Sequence, residues 1–340
     1  MNKYIVLFFI CSFFLISCKN DKNSTTDNNE NKIKVDSINS IEEITKKIRE
    51  NPLNADLFLL RSELYLTDLN IEEALNDAEI ALRIDSLRPD IYLKIADYNL
   101  LLGKSEEAKD ILIKSVRFFP DNIEIRLKLA YIYFYVQMYI DAMKELNYIE
   151  ARNIQNSESF YLKALIFDEM EMYNDAITAL KTAVEYDNSN WKAYNLIGLI
   201  YGSLDNKLAV EYFRTAVKLF PNNLEIRYNA GVVFQKFELY DEAIAEYEYV
   251  ITADPKTTEA YYNLGIIYVD NKNFMSALEN FTKAIEADSL SYRSYYNRGY
   301  TYEQLKNYKL AENDYRQSLK IMPNYELAIE GLNEVIEKKQ

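Results

Sequence analysis

The sequence has no histidine, and its 340 residues include only two cysteines, seven glycines and six prolines. The lack of histidine excludes Ser-His-Asp triads, His-ligated metal sites and imidazole acid–base chemistry. Both cysteines, Cys11 and Cys18, lie within the first twenty residues, so a disulfide framework or a cysteine zinc site is excluded from the rest of the chain. So few glycines and prolines cannot supply the turns of a β-sandwich, a barrel or a doubly wound sheet. We therefore expect an all-α fold.

The charge and apolar content describe a folded, acidic protein. Hydrophobic residues make up 49% and charged residues 27% of the chain, and the formal net charge is −14. This length suits one extended or two compact domains. The negative charge argues against nucleic acid as a partner, because the phosphates would repel the protein.

The chain opens with a short apolar run that follows Lys3 and extends from Tyr4 to Ile16. As a helix it would span about 20 Å, too little for a hydrocarbon core of about 30 Å, so it is typical of a secretory signal. Its end, Leu15-Ile16-Ser17-Cys18, resembles the bacterial lipoprotein signal. The resemblance implies removal of residues 1–17, lipid attachment to Cys18 and anchoring in the cell envelope, with the outer membrane favoured. An ordinary secretory signal or an uncleaved anchor is the alternative.

A polar segment follows, and residues 18–36 are predicted to be the flexible tether of the anchored chain. The segment is rich in asparagine and has no apolar period, so it cannot form a core.

The rest of the chain repeats at an interval of 34 residues. Small residues recur at this step, with a single step of 33 between Ala176 and Ala209. Within each interval, apolar residues recur at three and four, which indicates two amphipathic helices. The recurring alanines are Ala74, Ala108, Ala142, Ala176, Ala209, Ala243, Ala277 and Ala311.

The clearest copy carries Tyr261, Leu264, Gly265, Tyr268, Ala277, Phe281 and Ala284. This pattern resembles the tetratricopeptide repeat. The resemblance implies an α-solenoid of about eight helix-turn-helix units, each of which must stack on its neighbours to bury its apolar face. The predicted units are 53–86, 87–120, 121–154, 155–187, 188–221, 222–255, 256–289 and 290–323.

Both ends of the repeat array carry sequences predicted to form capping helices. Residues 37–52 have an apolar stripe, and Ser40 and Glu43 have the spacing of a capping box. Residues 324–340 place Ala328, Ile329 and Leu332 on one face, with charged residues elsewhere.

The 33-residue step is assigned to the connector at residues 187–190. After this connector the pair Tyr-Asn returns in every unit, whereas the earlier units lack it. The sequence therefore predicts two halves of different character that meet near residue 189, with a local irregularity there.

The Tyr-Asn pairs are the main candidate for a binding site. In the tetratricopeptide family the first helix of each unit lines a concave groove, and the resemblance implies that these asparagines project into it. An asparagine amide can bind both polar groups of a peptide unit, so a row of amides could hold an extended backbone. The alternative is that the pairs only pack neighbouring units. The candidate residues are Tyr194, Asn195, Tyr228, Asn229, Tyr262, Asn263, Tyr296 and Asn297.

Lys94, Lys128 and Trp191 are weaker candidates. The two lysines lie one repeat apart and could meet an acidic peptide, or neighbouring acids such as Asp97 could neutralise them. Trp191 is either a packing residue or a contact point for a partner.

No catalytic motif, metal-ligand cluster or cofactor loop is found, and the acidic pairs are typical of the first turns of helices. The predicted function is a non-enzymatic scaffold in the cell envelope that binds a peptide or a helix of a partner protein. The alternative is a surface component of a nutrient importer that binds glycan or peptide. Neither a cofactor nor a metal is expected, and the sequence leaves open whether copies of the chain associate.

Overall fold

The computed structural model describes residues 40–152 and 154–339, and all regular structure in these ranges is α-helical. The predicted signal, Cys18 and the whole predicted tether lie outside the described residues. The chain divides between Gln155 and Asn156 into two compact units, called here the N-terminal and C-terminal units. The predicted junction near residue 189 therefore lies inside the C-terminal unit.

Seven helices of ten to fourteen residues form the described part of the N-terminal unit. The first helix packs on the second but has no partner of its own, and the other six form three pairs of closely packed helices. They are α1 (Ile41–Glu50), α2 (Ala55–Thr67), α3 (Ile71–Ile84), α4 (Pro89–Leu101), α5 (Ser105–Phe118), α6 (Ile123–Tyr135) and α7 (Tyr139–Glu150).

Eleven helices form the described part of the C-terminal unit, as five pairs followed by one closing helix. They are α8 (Ser157–Glu169), α9 (Tyr173–Tyr186), α10 (Trp191–Ser203), α11 (Leu208–Leu219), α12 (Leu224–Lys236), α13 (Tyr240–Ala253), α14 (Thr258–Asp270), α15 (Phe274–Ala287), α16 (Tyr292–Gln304), α17 (Tyr308–Ile321) and α18 (Glu326–Lys338).

The two helices of each pair are joined by a turn of three or four residues with one residue in the left-handed region. This conformation ends the first helix and turns the chain back upon it. Only Gly103 is a glycine; the other seven positions carry side chains, which pay a steric penalty there. These residues are Leu69, Gln137, Glu171, Asp205, Glu238, Lys272 and Lys306.

The missing residue of the short repeat lies in the pair α10–α11, so its predicted position at residues 187–190 is wrong. In the neighbouring pairs, the recurring alanine of the second helix lies five positions after the left-handed residue of the turn, as Ala176 does after Glu171. In α10–α11 only four separate Asp205 from Ala209. The deletion therefore shortens the start of α11. The predicted boundary between units at residue 187 consequently moves to residue 188.

Packing inside the pairs changes character at α10. In α8–α9, the two small-to-medium residues Ala164 and Leu180 are fully buried in one cluster. In the following pairs, a glycine of the first helix faces an aromatic ring of the second, as Gly198 faces Phe213. A Cβ on Gly198 would lie 2.5 Å from that ring, so glycine is what admits it. The difference predicted between the repeats before and after residue 189 therefore has a basis in the core.

The two end helices are amphipathic, and a side chain caps the first of them. Ser40 Oγ accepts a hydrogen bond of 3.2 Å from the backbone N–H of Glu43. The Glu43 side chain instead pairs with Lys47, so only half of the predicted capping box forms. In α18, Ala328 and Val335 are fully buried, whereas the predicted core residue Ile329 is 40% exposed.

Candidate functional site

The first helices of successive pairs contact one another in the C-terminal unit, from α10 through α12, α14 and α16 to α18. The second helices of successive pairs make at most marginal contacts with each other among residues 156–339. Helices that pack more closely lie on the inside of a curved array, so the first helices form its inner layer. Their solvent-facing side is called the inner face, and positions are counted from the first residue of each helix.

Three of the four predicted asparagines occupy equivalent places on the inner face. Asn229, Asn263 and Asn297 lie at position 6 of α12, α14 and α16, and all three are half-buried. Asn195 lies at position 5 of α10 and is only 6% exposed. The prediction of four equivalent asparagines is therefore wrong for Asn195, because the 34-residue interval from Asn195 to Asn229 crosses a 33-residue repeat.

Each position-6 asparagine donates a hydrogen bond to the preceding first helix. Asn229 Nδ2 donates to Asn195 Oδ1 at 2.9 Å, and Asn297 Nδ2 donates to the Tyr262 hydroxyl at 3.2 Å. Asn263 Nδ2 donates to the Tyr228 hydroxyl at 3.4 Å and to the Tyr247 hydroxyl at 3.1 Å. The amide groups therefore link consecutive helices, as the packing alternative expects, and within the described residues no hydrogen bond reaches the Oδ1 atoms of the three position-6 asparagines.

The tyrosines at position 5 lie over aromatic rings of the second helices. Tyr228 packs on Tyr247 with ring centroids 5.9 Å apart, and Tyr262 packs on Phe281 at 6.0 Å. Tyr296 packs on Tyr315 at 5.7 Å. Burial raises the pKa of all three position-5 hydroxyls, so they stay protonated and can donate hydrogen bonds at neutral pH.

Tyr194 and Trp191 belong to the same helix but do not join the row of tyrosines. Tyr194 lies at position 4 of α10, where its ring packs on Phe220 at 5.8 Å. Trp191 is the first residue of α10 and is half-buried against the core of the C-terminal unit. The predicted equivalence of Tyr194 with Tyr228 fails for the same reason as that of Asn195.

The inner face carries a third row of side chains, which was not predicted from the sequence. At position 9, one turn beyond the asparagines, each first helix carries an apolar or aromatic side chain that is only partly buried. The row lies three residues after the position-6 asparagines, and this spacing could have identified it in the sequence. An apolar residue at helical spacing is, however, normally interpreted as a core residue. The row consists of Leu165, Leu199, Val232, Ile266 and Tyr300.

In the N-terminal unit, the two candidate lysines are ion-paired. Lys94 Nζ lies 2.6 Å from Glu63 Oε1, and Lys128 Nζ lies 2.5 Å from Asp97 Oδ1. Burial raises the pKa of Asp97, and the charge of Lys128 opposes this shift. The lysines thus link consecutive first helices, which agrees with the neutralised alternative.

Among residues 40–152 and 154–339, none of the helices combines the length and the apolar character needed to cross a bilayer. In the same ranges, no group of three or more carboxylate or thiol side chains could hold a metal ion.

Family models of the tetratricopeptide repeat match four stretches of the chain, all in the C-terminal unit. The matched residues are 157–190, 201–258, 258–289 and 292–325. These segments contain α8, α9 and α11 to α17, and of α10 only the last three residues.

Similar proteins have the same repeat architecture. The "TPR repeat-containing protein YpiA" of Bacillus subtilis (strain 168) is 24% identical over 133 residues, which cover 39% of this chain and 31% of that protein. The C-terminal part of a TPR repeat-containing protein from Cytophaga hutchinsonii is 19% identical, with a TM-score of 0.59 over 70% of this chain and 98% of that one. A chain of the APC/C hetero-tetramer Cut9-Hcn1 is 20% identical, with a TM-score of 0.52 over 87% and 58%. At these identities the likeness shows the fold alone.

Proposed function

We propose that this protein, which contains tetratricopeptide repeats, is a non-catalytic scaffold that binds an extended segment of a partner protein on the inner face of its C-terminal unit. The position-6 asparagines, the position-5 tyrosines and the position-9 apolar row would form the contact surface.

The observation that carries the proposal is the alignment of three rows on helices that contact one another. Amide oxygens, tyrosine rings and apolar side chains recur once per repeat and stay partly exposed. Backbone N–H groups of an extended segment can donate to the amide oxygens, while its side chains contact the apolar row. Each neutral hydrogen bond contributes only about 1 kcal/mol, so affinity would come from repetition along the array.

The anchoring of this scaffold is a separate part of the proposal. The apolar run from Tyr4 to Ile16, followed closely by Cys18, supports a lipid on that cysteine and a location in the cell envelope, with the outer membrane favoured. A polar tether at residues 18–36 would then connect the lipid to the repeats.

Site-specific photo-crosslinking tests the inner face. A photoreactive phenylalanine analogue at Ile266 or Val232 should capture a distinct partner in intact cells, because these side chains would contact the bound segment. The matched control is the same analogue at Met275, a 71% exposed residue on the second helix α15. The double substitution Asn229→Ala/Asn263→Ala should weaken the Ile266 crosslink while the helical circular dichroism signal persists.

The proposal fails if Met275 captures the same species as Ile266, or if the asparagine double variant folds and crosslinks like the wild type. Fractionation of cells that carry Cys18→Ala tests the anchor, since the wild type should be found with membranes and the variant should not. Protease treatment of intact cells would then identify the membrane leaflet.

A further inference from the structure

The turns inside the helix pairs of the C-terminal unit lie along one edge of the repeats, because short turns make successive helices antiparallel. Two neighbouring turns on this edge, those of α8–α9 and α10–α11, present apolar side chains to solvent. Met170, Met172, Leu204 and Leu208 are each between 39% and 51% exposed. These four residues are called the turn patch. None of them packs into the apolar clusters that α8 to α14 build.

Leu208 occupies a place where the flanking pairs carry an acid. It comes directly before Ala209 at the start of α11, and the residues before Ala176 and Ala243 are Asp175 and Glu242. A carboxylate in the first turn of a helix is stabilised by the helix dipole. Leu208 gives up this stabilisation without gaining a place in the core, so its apolar side chain is better explained by a contact outside the chain.

Acidic side chains surround the turn patch. Glu169, Glu171 and Asp175 are exposed, and no lysine or arginine among the described residues forms an ion pair with any of these three. Burial and the nearby charge of Glu169 raise the pKa of Asp168. The turn of α10–α11 contributes one exposed cation, Lys207. The surroundings of the patch therefore carry negative charge that the chain itself leaves uncompensated.

The spacing of the two turns matches the length of two turns of an α-helix. Packed helices lie about 8–10 Å apart, so neighbouring turns on this edge are separated by roughly that distance. Two turns of a partner helix cover about 11 Å, so apolar side chains at i, i+3 and i+7 can reach both. The flexible methionines can adapt to their shape. Lysines or arginines beside this apolar stripe would face the acidic surroundings.

We propose that the turn patch is a second docking surface, which binds a basic amphipathic helix of a partner protein. The patch lies on an edge of the repeats and shares no residue with the three rows of the inner face. It therefore adds a second contact to the scaffold, and the two surfaces can be tested separately.

The test titrates the full chain, labelled with 13C at its methionine methyl groups, with three peptides of equal length. The first has leucines at i, i+3 and i+7 of a helix and lysines elsewhere. The second has the same composition without the apolar stripe, and the third has glutamates in place of the lysines. The first peptide should shift the signals of Met170 and Met172 in a saturable way, and the other two should bind at least about tenfold more weakly. Met275, an exposed residue beside another turn of the same edge, should not respond.

Variants then assign the binding to the patch. Leu208→Glu reproduces the acid of the flanking pairs, so it should keep the helical circular dichroism signal while it weakens binding about tenfold or more. Glu169→Lys/Glu171→Lys should weaken binding of the lysine peptide and strengthen binding of the glutamate peptide. Met275→Glu is the matched control and should bind like the wild type.

The inference is overturned if the peptide without the stripe binds as tightly as the amphipathic one, or if Leu208→Glu folds and binds like the wild type. Sedimentation of the chain alone and flotation with phosphatidylcholine vesicles examine two other occupants. A dimer or a vesicle contact that Leu208→Glu removes would also overturn it. None of these results changes the crosslinking expected at Ile266, so the inner face would remain a separate question.

Discussion

The Nδ2 of Asn229 donates a 2.9 Å hydrogen bond to the Oδ1 of Asn195, although the two residues occupy different positions of their helices. Their 34-residue interval crosses the 33-residue repeat, so Asn195 lies at position 5, where it is almost fully buried, and Asn229 lies at position 6. Asn195 in turn donates to Glu225 Oε1 at 3.3 Å. These contacts link α10 to α12 at the repeat where the interval is short.

We expect Asn195 and Asn229 to be energetically coupled. Each alanine substitution removes one partner of a partly buried hydrogen bond, so the double variant should lose about 1 kcal/mol less free energy of unfolding than the sum of the single variants. Urea unfolding of the four proteins measures this difference. Asn297 is the control, because it bonds to Tyr262 and shares no partner with Asn195. Equal coupling of Asn195 to Asn229 and to Asn297 would contradict the prediction.

The helix pairs could be predicted from the sequence because each repeat combines two amphipathic patterns with a fixed turn. The register of Asn195 could not. The Tyr-Asn dipeptide recurs at 34 residues through a repeat of 33, so identical letters occupy different positions. The helix starts at Trp191 and Leu224, the left-handed turn at Asp205 and the Gly198–Phe213 contact show the true alignment.

The position-9 row was missed for a different reason. Ile266 has the spacing of a core residue, and only its partial exposure separates it from buried Ile267.

Gly265 and Phe281 should tolerate substitution only when both residues are changed. A Cβ on Gly265 would lie 2.5 Å from the Phe281 ring, so Gly265→Ala should destabilise the protein by about 1–3 kcal/mol through overpacking. Phe281→Leu makes room, and the double variant recreates the combination that Ala164 and Leu180 supply in α8–α9. We expect the double variant Gly265→Ala/Phe281→Leu to lose less free energy of unfolding than the two single variants lose together, as measured by thermal and urea unfolding.

Gly202→Ala is the control for that experiment. The nearest atom to its added Cβ is Val233 Cγ2 at 3.3 Å, so the methyl group needs only a small adjustment. Alanine also has the higher helix propensity, by about 1 kcal/mol. Gly202→Ala should therefore leave stability unchanged or raise it, and a loss as large as that of Gly265→Ala would show that the ring contact is not the cause.

Two substitutions at left-handed turn residues should change the free energy of unfolding in opposite directions. Lys272 has φ 57° and an exposed side chain, so Lys272→Gly should raise the free energy of unfolding by up to about 1 kcal/mol. Gly103 has φ 73° with no atom within 4 Å of an added Cβ, so Gly103→Ala should lower it by a similar amount through backbone strain alone. Chemical denaturation measures both, and effects of the same sign would refute the explanation.

The raised pKa of Tyr325 leads us to expect a loss of stability at alkaline pH. Burial raises its pKa to about 12, and the hydroxyls of Tyr228 and Tyr262 shift in the same direction. In the unfolded chain a tyrosine ionises near pH ~10, so its contribution is complete below that pH and is lost as the pH rises from about 10 to about 12. Urea unfolding at about pH 9 and about pH 11.5 should show this fall, and Tyr325→Phe, which keeps the ring contacts with Tyr292 and Tyr296, should show a smaller one. An identical fall in the variant would mean that the Tyr325 hydroxyl ionises as easily in the folded protein as in the unfolded chain.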